Sequence, residues 1–283
     1  MIKYYKKTPE ETIGGTLAGT DPIFDPAQCL TVLYETKPEL IAEILPPPLK
    51  PYEKPYVIVT YNNFMGTNFE LGGYESTQLL IPSVYEGRVG NFVAAQICNK
   101  DMCTLLGREK YGYPKKVGIC EHRYEDDRFV GFSARHGVPF VIVDADFSQQ
   151  PNDPNFLTEL TKATQSDPER PTWAINWTFK YEIGEHEDCL LQNPRLVRGW
   201  KNKEGVYAQS QAGFAKITLV PSVDDPWFEL EPVRVVGALL SNVNSHMKCA
   251  NPVGRVDYIP VDKDAYLPYA FYGYDRTFKN DCK

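Results

Sequence analysis

The fold is decided by the stretch Gly107-Arg108-Glu109-Lys110-Tyr111-Gly112-Tyr113-Pro114-Lys115-Lys116-Val117-Gly118. It places two adjacent lysines, Lys115 and Lys116, directly after a Tyr-Pro step. A lysine amine attacks a carbonyl only when it is neutral, and a neighbouring ammonium or an apolar pocket favours that neutral form. Most lysine pairs instead lie on solvated turns. The stretch therefore predicts either a surface turn or a lysine that forms a Schiff base.

The residues on either side predict how these lysines are presented. Residues 101–109 are typical of a short helix that begins at an Asn or Asp cap. Gly112 suits a chain reversal, and Pro114 fixes its own φ and keeps the preceding residue extended. We therefore expect the chain to continue on a stiff path into a strand from Lys116 to Cys120.

At these positions the chain resembles the acetoacetate decarboxylase family. The most specific match is the lysine motif, which here comprises Gly107-Arg108-Glu109, Tyr113-Pro114-Lys115-Lys116 and Gly118. Two weaker matches support it, Gly73-Tyr74-Glu75-Ser76 with Gln78 and Ile81-Pro82, and Ser245-His246 with Arg255-Val256-Asp257-Tyr258. The resemblance extends over nearly the whole chain, from Pro22 to Tyr258.

The resemblance implies a catalytic site built around Lys115. In the family the lysine at this position forms the Schiff base, and the one matching Lys116 lowers the pKa of that nucleophile. Glu75 falls in the family's glutamate-bearing strand, where it is expected to hold a lysine or carry a proton. The alternative for Glu75 is a surface carboxylate at a strand end. Tyr113 and Phe92 are predicted walls of the pocket.

Two more residues are candidates for substrate binding. Gln96 lies in the predicted strand 91–98, and it is a neutral hydrogen-bonding group if its face lines the pocket. Arg108 is a candidate partner for a substrate carboxylate. The competing interpretation, which we favour, is that Arg108 holds the lysine helix through a structural ion pair.

Two positions depart from the family pattern. The family's arginine on the first strand falls here at Ala27 or Gln28, and its second glutamate falls near Thr60. None of these residues is charged. The Schiff-base half of the site is thus preserved while the substrate-orienting half is changed, which disfavours acetoacetate itself. The wider superfamily includes Schiff-base aldolase-dehydratases that act on other oxo acids.

Composition excludes several functional classes. The 283 residues are 42% hydrophobic and 24% charged, as in ordinary soluble globular proteins. A net charge of −7 gives no basic surface for nucleic acid. No apolar run predicts a signal peptide or a membrane span, and the cysteine count of 7 is odd, so we expect reduced thiols in the cytoplasm. The histidines lack metal-ligand spacing, and we expect neither a metal nor a cofactor.

Strand signals dominate the rest of the chain. β-branched and aromatic residues are concentrated in eight segments, 56–61, 77–81, 90–98, 128–134, 139–145, 174–183, 212–219 and 233–240. Helices are predicted after Thr36, as part of a capping box, and after Asp153-Pro154. The polar segment from Gln149 to Arg170 is most like a surface insertion. We predict one α+β domain over residues 1–283, with a mostly antiparallel sheet bent into a cone-like barrel with flanking helices. The family's fold agrees.

The sequence leaves three functional hypotheses. The first is a Schiff-base lyase that decarboxylates a small oxo acid or a related ketone substrate, because a lysine iminium is an electron sink without any cofactor. The second is an aldolase-dehydratase, in which the same enamine adds to an aldehyde. The third is a barrel that binds a small ligand without turnover, which would not need to keep both lysines. The resemblance also implies a homo-oligomer.

Overall fold

The computed structural model describes residue 8 and residues 22–70, 72–167, 169, 172–186, 190–204, 210–242, 244–246, 256–270 and 273–275. Its strands are β1 Ile23–Phe24, β2 Ala27–Glu35, β3 Lys50–Pro51, β4 Tyr56–Phe64, β5 Tyr74–Tyr85, β6 Arg88–Cys98, β7 Lys115–Val117, β8 Ile119–Glu125, β9 Arg128–Arg135, β10 Val138–Asp146, β11 Trp173–Ile183, β12 Leu191–Glu204, β13 Gln211–Leu219, β14 Arg234–Asn242, β15 Asn244–His246 and β16 Asp257–Pro260. Its α-helices are α1 Pro38–Ile44, α2 Asp101–Tyr111, α3 Phe156–Thr164 and α4 Lys263–Tyr266.

These strands form one large, mostly antiparallel sheet. The main path runs β1-β15-β12-β11-β6-β5-β4-β2-β14-β13-β10-β9-β8. Strand β6 is the exception, because it pairs in parallel with both β11 and β7. This arrangement confirms the predicted α+β class and the mostly antiparallel sheet.

The sheet curves back on itself without closing. Within the described residues, the pairing path does not return from β8 to its start, so the predicted barrel is an open one. One end of the sheet, at β8 and β9, nevertheless meets β5 and β6 in the middle of the path. The amide of Gly118 donates to the carbonyl of Cys98 at 2.9 Å, and the hydroxyls of Thr77 and Ser133 lie 2.6 Å apart. The Tyr61 hydroxyl donates to the carbonyl of Val141 at 3.2 Å across the core. The curvature encloses apolar residues from both ends of the sheet.

A second apolar cluster lies on the face that carries α2 and α3. It includes Tyr74, Val93, Cys103, Tyr113 and Phe156, all buried. Burial of this kind contributes about 25 cal/mol for each Å² of apolar surface removed from water. The cluster therefore fixes both helices to the sheet beside the lysine motif.

Helix α3 corrects one prediction. The polar segment from Gln149 to Arg170 was expected to be a surface insertion, yet its helix buries Phe156, Leu160 and Ala163. The ring of Phe156 lies against the backbone of Gly237, where an added Cβ would approach the ring to 2.8 Å. Phe156, Leu160 and Ala163 share one helix face, which decides the placement more than the polar residues between them.

No helix in the described ranges has both the length and the apolar character needed to span a membrane.

Candidate active site

Strand β7 separates the two lysines. Adjacent side chains on a strand point to opposite faces, so Lys115 and Lys116 diverge. In the parallel pairing of β6 with β7, Gln96 is opposite Lys115 and Ile97 is opposite Lys116. The helix before β7 ends at Gly112, whose φ of 69° is left-handed, as the sequence predicted for a chain reversal. This turn sends the chain back along β6 and directs Lys115 into a cavity.

Lys115 is buried, with 7% of its surface exposed. Its Nζ donates to the carbonyl of Cys103 at 2.9 Å. The same nitrogen lies 5.4 Å from the ring centre of Tyr74 and 5.7 Å from that of Tyr113. Among the described residues it has no carboxylate within ion-pair distance. An amine held by one carbonyl and two aromatic rings is available to an incoming carbonyl compound.

Gly107 makes room for this side chain. A Cβ at Gly107 would lie 2.6 Å from Cε and 2.9 Å from Nζ of Lys115. Carbon atoms in ordinary contact are about 3.5–4.0 Å apart, so any larger residue at Gly107 would displace the lysine. The glycine that opens the lysine motif is therefore explained by packing against the Lys115 side chain and not by helix geometry, in which glycine is unfavourable.

The prediction that Lys116 lies beside Lys115 is wrong. The Nζ of Lys116 lies 3.1 Å from a carboxylate oxygen of Asp275 and 3.4 Å from one of Asp225, and it donates to the carbonyl of Asp224. Arg135 pairs with Asp275 and Asp225 as well, and its hydrogen bonds hold the pKa of Asp275 well below its usual range. Strand alternation is the reason, because it places Lys116 in a structural ion-pair network on the face opposite the cavity.

This network also contains a group of possible metal ligands. One ligand atom from each of His136, Asp224 and Asp275 lies within 4.8 Å of the others. Arg135 already donates to both carboxylate oxygens of Asp275, at 2.7 and 2.8 Å. Pairing with the guanidinium accounts for the carboxylate of Asp275 without a metal ion.

The cavity around Lys115 has a volume of about 480 Å³. Its apolar part is an aromatic cluster in which Phe24 lies 4.6 Å from Phe64 and 5.5 Å from Phe69, ring centre to ring centre. Leu157 and Leu160 of α3 add an aliphatic wall. Ligand sites for small organic molecules span about 300–1,000 Å³, so the cavity has the size of a binding site.

Neutral polar groups line another part of the cavity. Thr60 donates to Gln78 at 3.4 Å and accepts from Asn62 at 2.9 Å. The side-chain oxygens of Gln96 and Asn91 are buried and have no hydrogen-bond partner among the residues that the structure describes. A buried acceptor without a donor costs about 1–3 kcal/mol, so these two oxygens are suited to a donor on a bound ligand. The structure thus places Gln96 where the sequence expected it, on the cavity wall.

Besides Lys116, three predicted site residues do not line this cavity. Glu75 lies on the other face of β5 from Tyr74 and Gln78, and its carboxylate is 3.4 Å from His122. Burial raises the pKa of Glu75. Phe92 lies in the main core, with its ring centre 6.0 Å from that of Phe179. In both cases the strand register turns the side chain away from Lys115.

Arg108 is the third of these residues, and it has the structural role that we favoured, although not through an ion pair. Its guanidinium donates to the carbonyl of Lys115 at 2.8 Å and to that of Gly273 at 3.2 Å. It also lies over the ring of Tyr274, 4.9 Å from the ring centre. Arg108 therefore fixes the backbone at Lys115 and does not line the cavity.

The two positions that depart from the family pattern do face the cavity. Ala27 and Thr60 both line it, on β2 and β4, whereas Gln28 points away. Tyr113 also lines it, and its hydroxyl accepts from Asn176 at 3.0 Å. The positions that match the family's charged groups are therefore occupied here by alanine and threonine, with carboxamides beside them.

One charged residue of the described cavity lining was not predicted from the sequence. Lys201, on β12, lines the cavity, and its Nζ lies 5.8 Å from the ring centre of Tyr113. Burial and the positive charge of Lys115 lower the pKa of Lys201 to about 8. The sequence gives no clear signal for it, because Pro194 and charged residues interrupt the apolar pattern of β12, and β7, which carries Lys115, is far away along the chain. The electrostatic neighbour of Lys115 is thus Lys201 and not Lys116.

Comparison with known proteins places the chain among related sequences and folds. The sequence model described as acetoacetate decarboxylase (ADC) matches residues 8–252. The acetoacetate decarboxylase of Bordetella avium is 27% identical over 207 residues, which cover 73% of this chain and 78% of that protein. The crystal structure of acetoacetate decarboxylase from Legionella pneumophila superposes with a TM-score of 0.67 at 19% identity, covering 84% of this chain and 87% of that one.

A second solved structure has the same fold. It is the enduracididine biosynthesis enzyme MppR, complexed with the condensation product of pyruvate and imidazole 4-carboxaldehyde. It superposes with a TM-score of 0.61 at 15% identity, and the match covers 80% of this chain and 87% of that chain.

Proposed function

The chain belongs to the acetoacetate decarboxylase family, and on that premise we propose that it is a Schiff-base-forming lyase acting on an oxo acid larger than acetoacetate. The observation that carries the proposal is Lys115, a buried amine without a described counter-ion at the wall of a cavity of about 480 Å³. The structural relatives give the fold; the chemistry is inferred from the side chains.

In the proposed reaction, neutral Lys115 attacks the ketone carbon, and loss of water gives an iminium. The iminium withdraws electrons from the neighbouring carbon, so the bond from that carbon to a carboxylate can break and release carbon dioxide. The electron pair then forms an enamine, which is protonated on carbon, and hydrolysis frees the ketone and Lys115. The unpaired carbonyl oxygen of Gln96, on the strand beside Lys115, is suited to accept a hydrogen bond from the carbinolamine or iminium.

Cavity size and lining favour a substrate with an apolar chain. A four-carbon acid fills only a small part of the volume, and the cluster of Phe24, Phe64 and Phe69 offers an apolar contact surface. Each buried methylene contributes about 0.8 kcal/mol, which is roughly fourfold in kcat/KM when the chain is held in the transition state. A chain extended toward these rings should therefore improve turnover.

Aldol condensation followed by loss of water is the second candidate function. It is favoured by the uncharged wall at Ala27 and Thr60 and by a cavity with room for two reactants. MppR, which shares this fold, holds a condensation product of pyruvate and imidazole 4-carboxaldehyde. In this version the enamine on Lys115 attacks an aldehyde, and the carboxylate of the oxo acid is retained.

The test is turnover of 3-oxo acids from acetoacetate to 3-oxooctanoate, monitored by release of carbon dioxide. We expect kcat/KM to rise by roughly fourfold per methylene until the aromatic cluster is reached. Acetoacetate turned over at more than about 10⁴ M⁻¹s⁻¹, with no gain on lengthening, would overturn the larger-substrate proposal.

A parallel assay separates the two reactions. Pyruvate with an aromatic aldehyde, monitored by NMR, would yield a dehydrated adduct if the aldol route operates. The matched control is Lys115→Ala, which should abolish both activities. Turnover by that variant would show that the chemistry does not depend on a lysine iminium.

A further inference from the structure

We infer that Lys201 is the proton-transfer residue of the site, exchanging a proton between its ε-amine and the substrate carbon next to the Lys115 iminium. This inference rests on the proposed Schiff-base function and extends it to a second lysine. It assigns to an amine the work that the family resemblance gave to Glu75.

The composition of the cavity wall supports this role of Lys201. No aspartate or glutamate lines the cavity among the residues that the structure describes. The carboxylate of Glu75 faces His122 on the other side of β5, and that of Glu70 accepts from the amide of Cys103 at the start of α2. An enamine on Lys115 must nevertheless gain a proton on carbon, and efficient enzymes supply it from a positioned side chain. The proton donor to the enamine carbon must therefore be a group other than a carboxylic acid.

Lys201 and Lys115 line the same cavity. The Nζ atoms of Lys115 and Lys201 lie 5.7 and 5.8 Å from the ring centre of the same residue, Tyr113. Lys115 comes from β7 and Lys201 from β12, so a substrate held by the first amine lies in the cavity that the second one lines. The ammonium of Lys201 forms no ion pair with any described residue, so no carboxylate competes for its proton.

Lys201 differs in its pKa from other groups near the cavity that could carry a proton. Burial raises the pKa values of Tyr74 and Tyr113, so these phenols keep their protons at neutral pH. The hydrogen bond with Cys98, together with burial, raises the pKa of Cys103 in the same way. Lys201 faces Lys115, Cys29 and Tyr113, and burial together with the charge of Lys115 brings its pKa to about 8. An amine that titrates near neutral pH can both take and give a proton.

The chemical step is balanced in both directions. Neutral Lys201 removes a proton from the carbon next to the iminium, the C–H electrons form the C=C bond, and the C=N electrons move to nitrogen. The resulting Lys201 ammonium returns the proton to carbon in the reverse step. After decarboxylation only the return is needed, because the electrons then come from the broken bond to the carboxylate.

The experiment measures hydrogen exchange in D₂O at neutral pH with pyruvate and 2-oxohexanoate, by the loss of the NMR signal of the protons next to the ketone. Iminium formation is followed separately by borohydride trapping. We expect Lys201→Met to retain trapping at Lys115 and to lose exchange by about 10²- to 10⁴-fold. Wild-type exchange in that variant would overturn the inference.

Lys201→Arg is the control that distinguishes proton transfer from fixed charge. Arginine keeps the cation but does not release its proton in proteins, so exchange should stay as low as in Lys201→Met. Recovery of exchange by the arginine variant would overturn the inference in favour of a purely electrostatic role. Failure of the wild-type protein to be trapped by either oxo acid would instead overturn the proposed Schiff-base function, and this inference with it.

Discussion

Replacing Gly107 by alanine should remove activity without unfolding the protein. The added Cβ would lie 2.6 Å from Cε, 2.7 Å from Cδ and 2.9 Å from Nζ of Lys115. Since carbon atoms in contact prefer about 3.5–4.0 Å, the end of the lysine must move by about 1 Å. A displacement of that size in a reacting group costs about 100-fold in rate. We therefore expect trapping and turnover to fall by about two orders of magnitude.

The free energy of unfolding of Gly107→Ala should stay the same or rise, although its activity falls. The atoms that meet the new methyl group belong to the flexible end of Lys115, so the backbone does not have to shift. Alanine in a helix interior is favoured over glycine by about 1 kcal/mol, and Gly107 lies within α2. The melting temperature of Gly107→Ala should thus stay within a few degrees of wild type.

The assay combines thermal melting with the rate of borohydride trapping by 2-oxohexanoate. Leu105→Ala is a matched control in the same helix, because Leu105 is exposed and does not line the cavity. It should retain wild-type trapping. Two results would contradict this prediction. One is borohydride trapping of Gly107→Ala at the wild-type rate. The other is a loss of activity that comes with a large drop in melting temperature.

Three further variants test the placement of single residues. Lys116→Met should keep its rate of borohydride trapping within about threefold. It should lose up to about 3 kcal/mol of unfolding free energy, because Asp225 then lacks one of its ion-pair partners. A shifted pH–rate profile with unchanged stability would contradict this prediction. Glu75→Gln should retain both trapping and proton exchange, since the carboxylate faces His122, and a 100-fold loss would return it to the site. Lys201→Met should melt higher than wild type at pH 7. The pKa of Lys201 is lowered to about 8 in the folded protein, so its charge costs stability below pH 8. The difference in melting temperature between the variant and the wild type should therefore vanish as the pH rises toward the ordinary lysine pKa of about 10.4. Melting curves measured over that pH range test this prediction.

The sequence predicted the elements well because most of them have strong local signals. Segments rich in β-branched and aromatic residues became β4, β6, β9 and β11. The run of Leu191–Glu204 was not predicted as a strand, since Pro194 and several charged residues interrupt its apolar pattern. Helix capping was also misjudged, because Thr36 makes no side-chain cap and Lys37 occupies that position.

Of the predicted site residues, Lys115, Tyr113 and Gln96 line the cavity. Lys115 was identified from a motif, and its burial follows from the turn at Gly112 and the pairing with β6. The orientations of Lys116 and Glu75 depend on strand register, and a shift of one residue exchanges the two faces. Lys201 approaches from a strand more than eighty positions along the chain, so no local pattern could place it beside Lys115.

The measurement that tests the central claim most directly is peptide mapping after borohydride reduction in the presence of 2-oxohexanoate. Tandem mass spectrometry can distinguish Lys115 from the adjacent Lys116 and from Lys201. The account predicts one adduct, on Lys115, which disappears in Lys115→Ala while the protein remains folded. An adduct on Lys201 or Lys116, or no adduct with any oxo acid that the protein turns over, would contradict it.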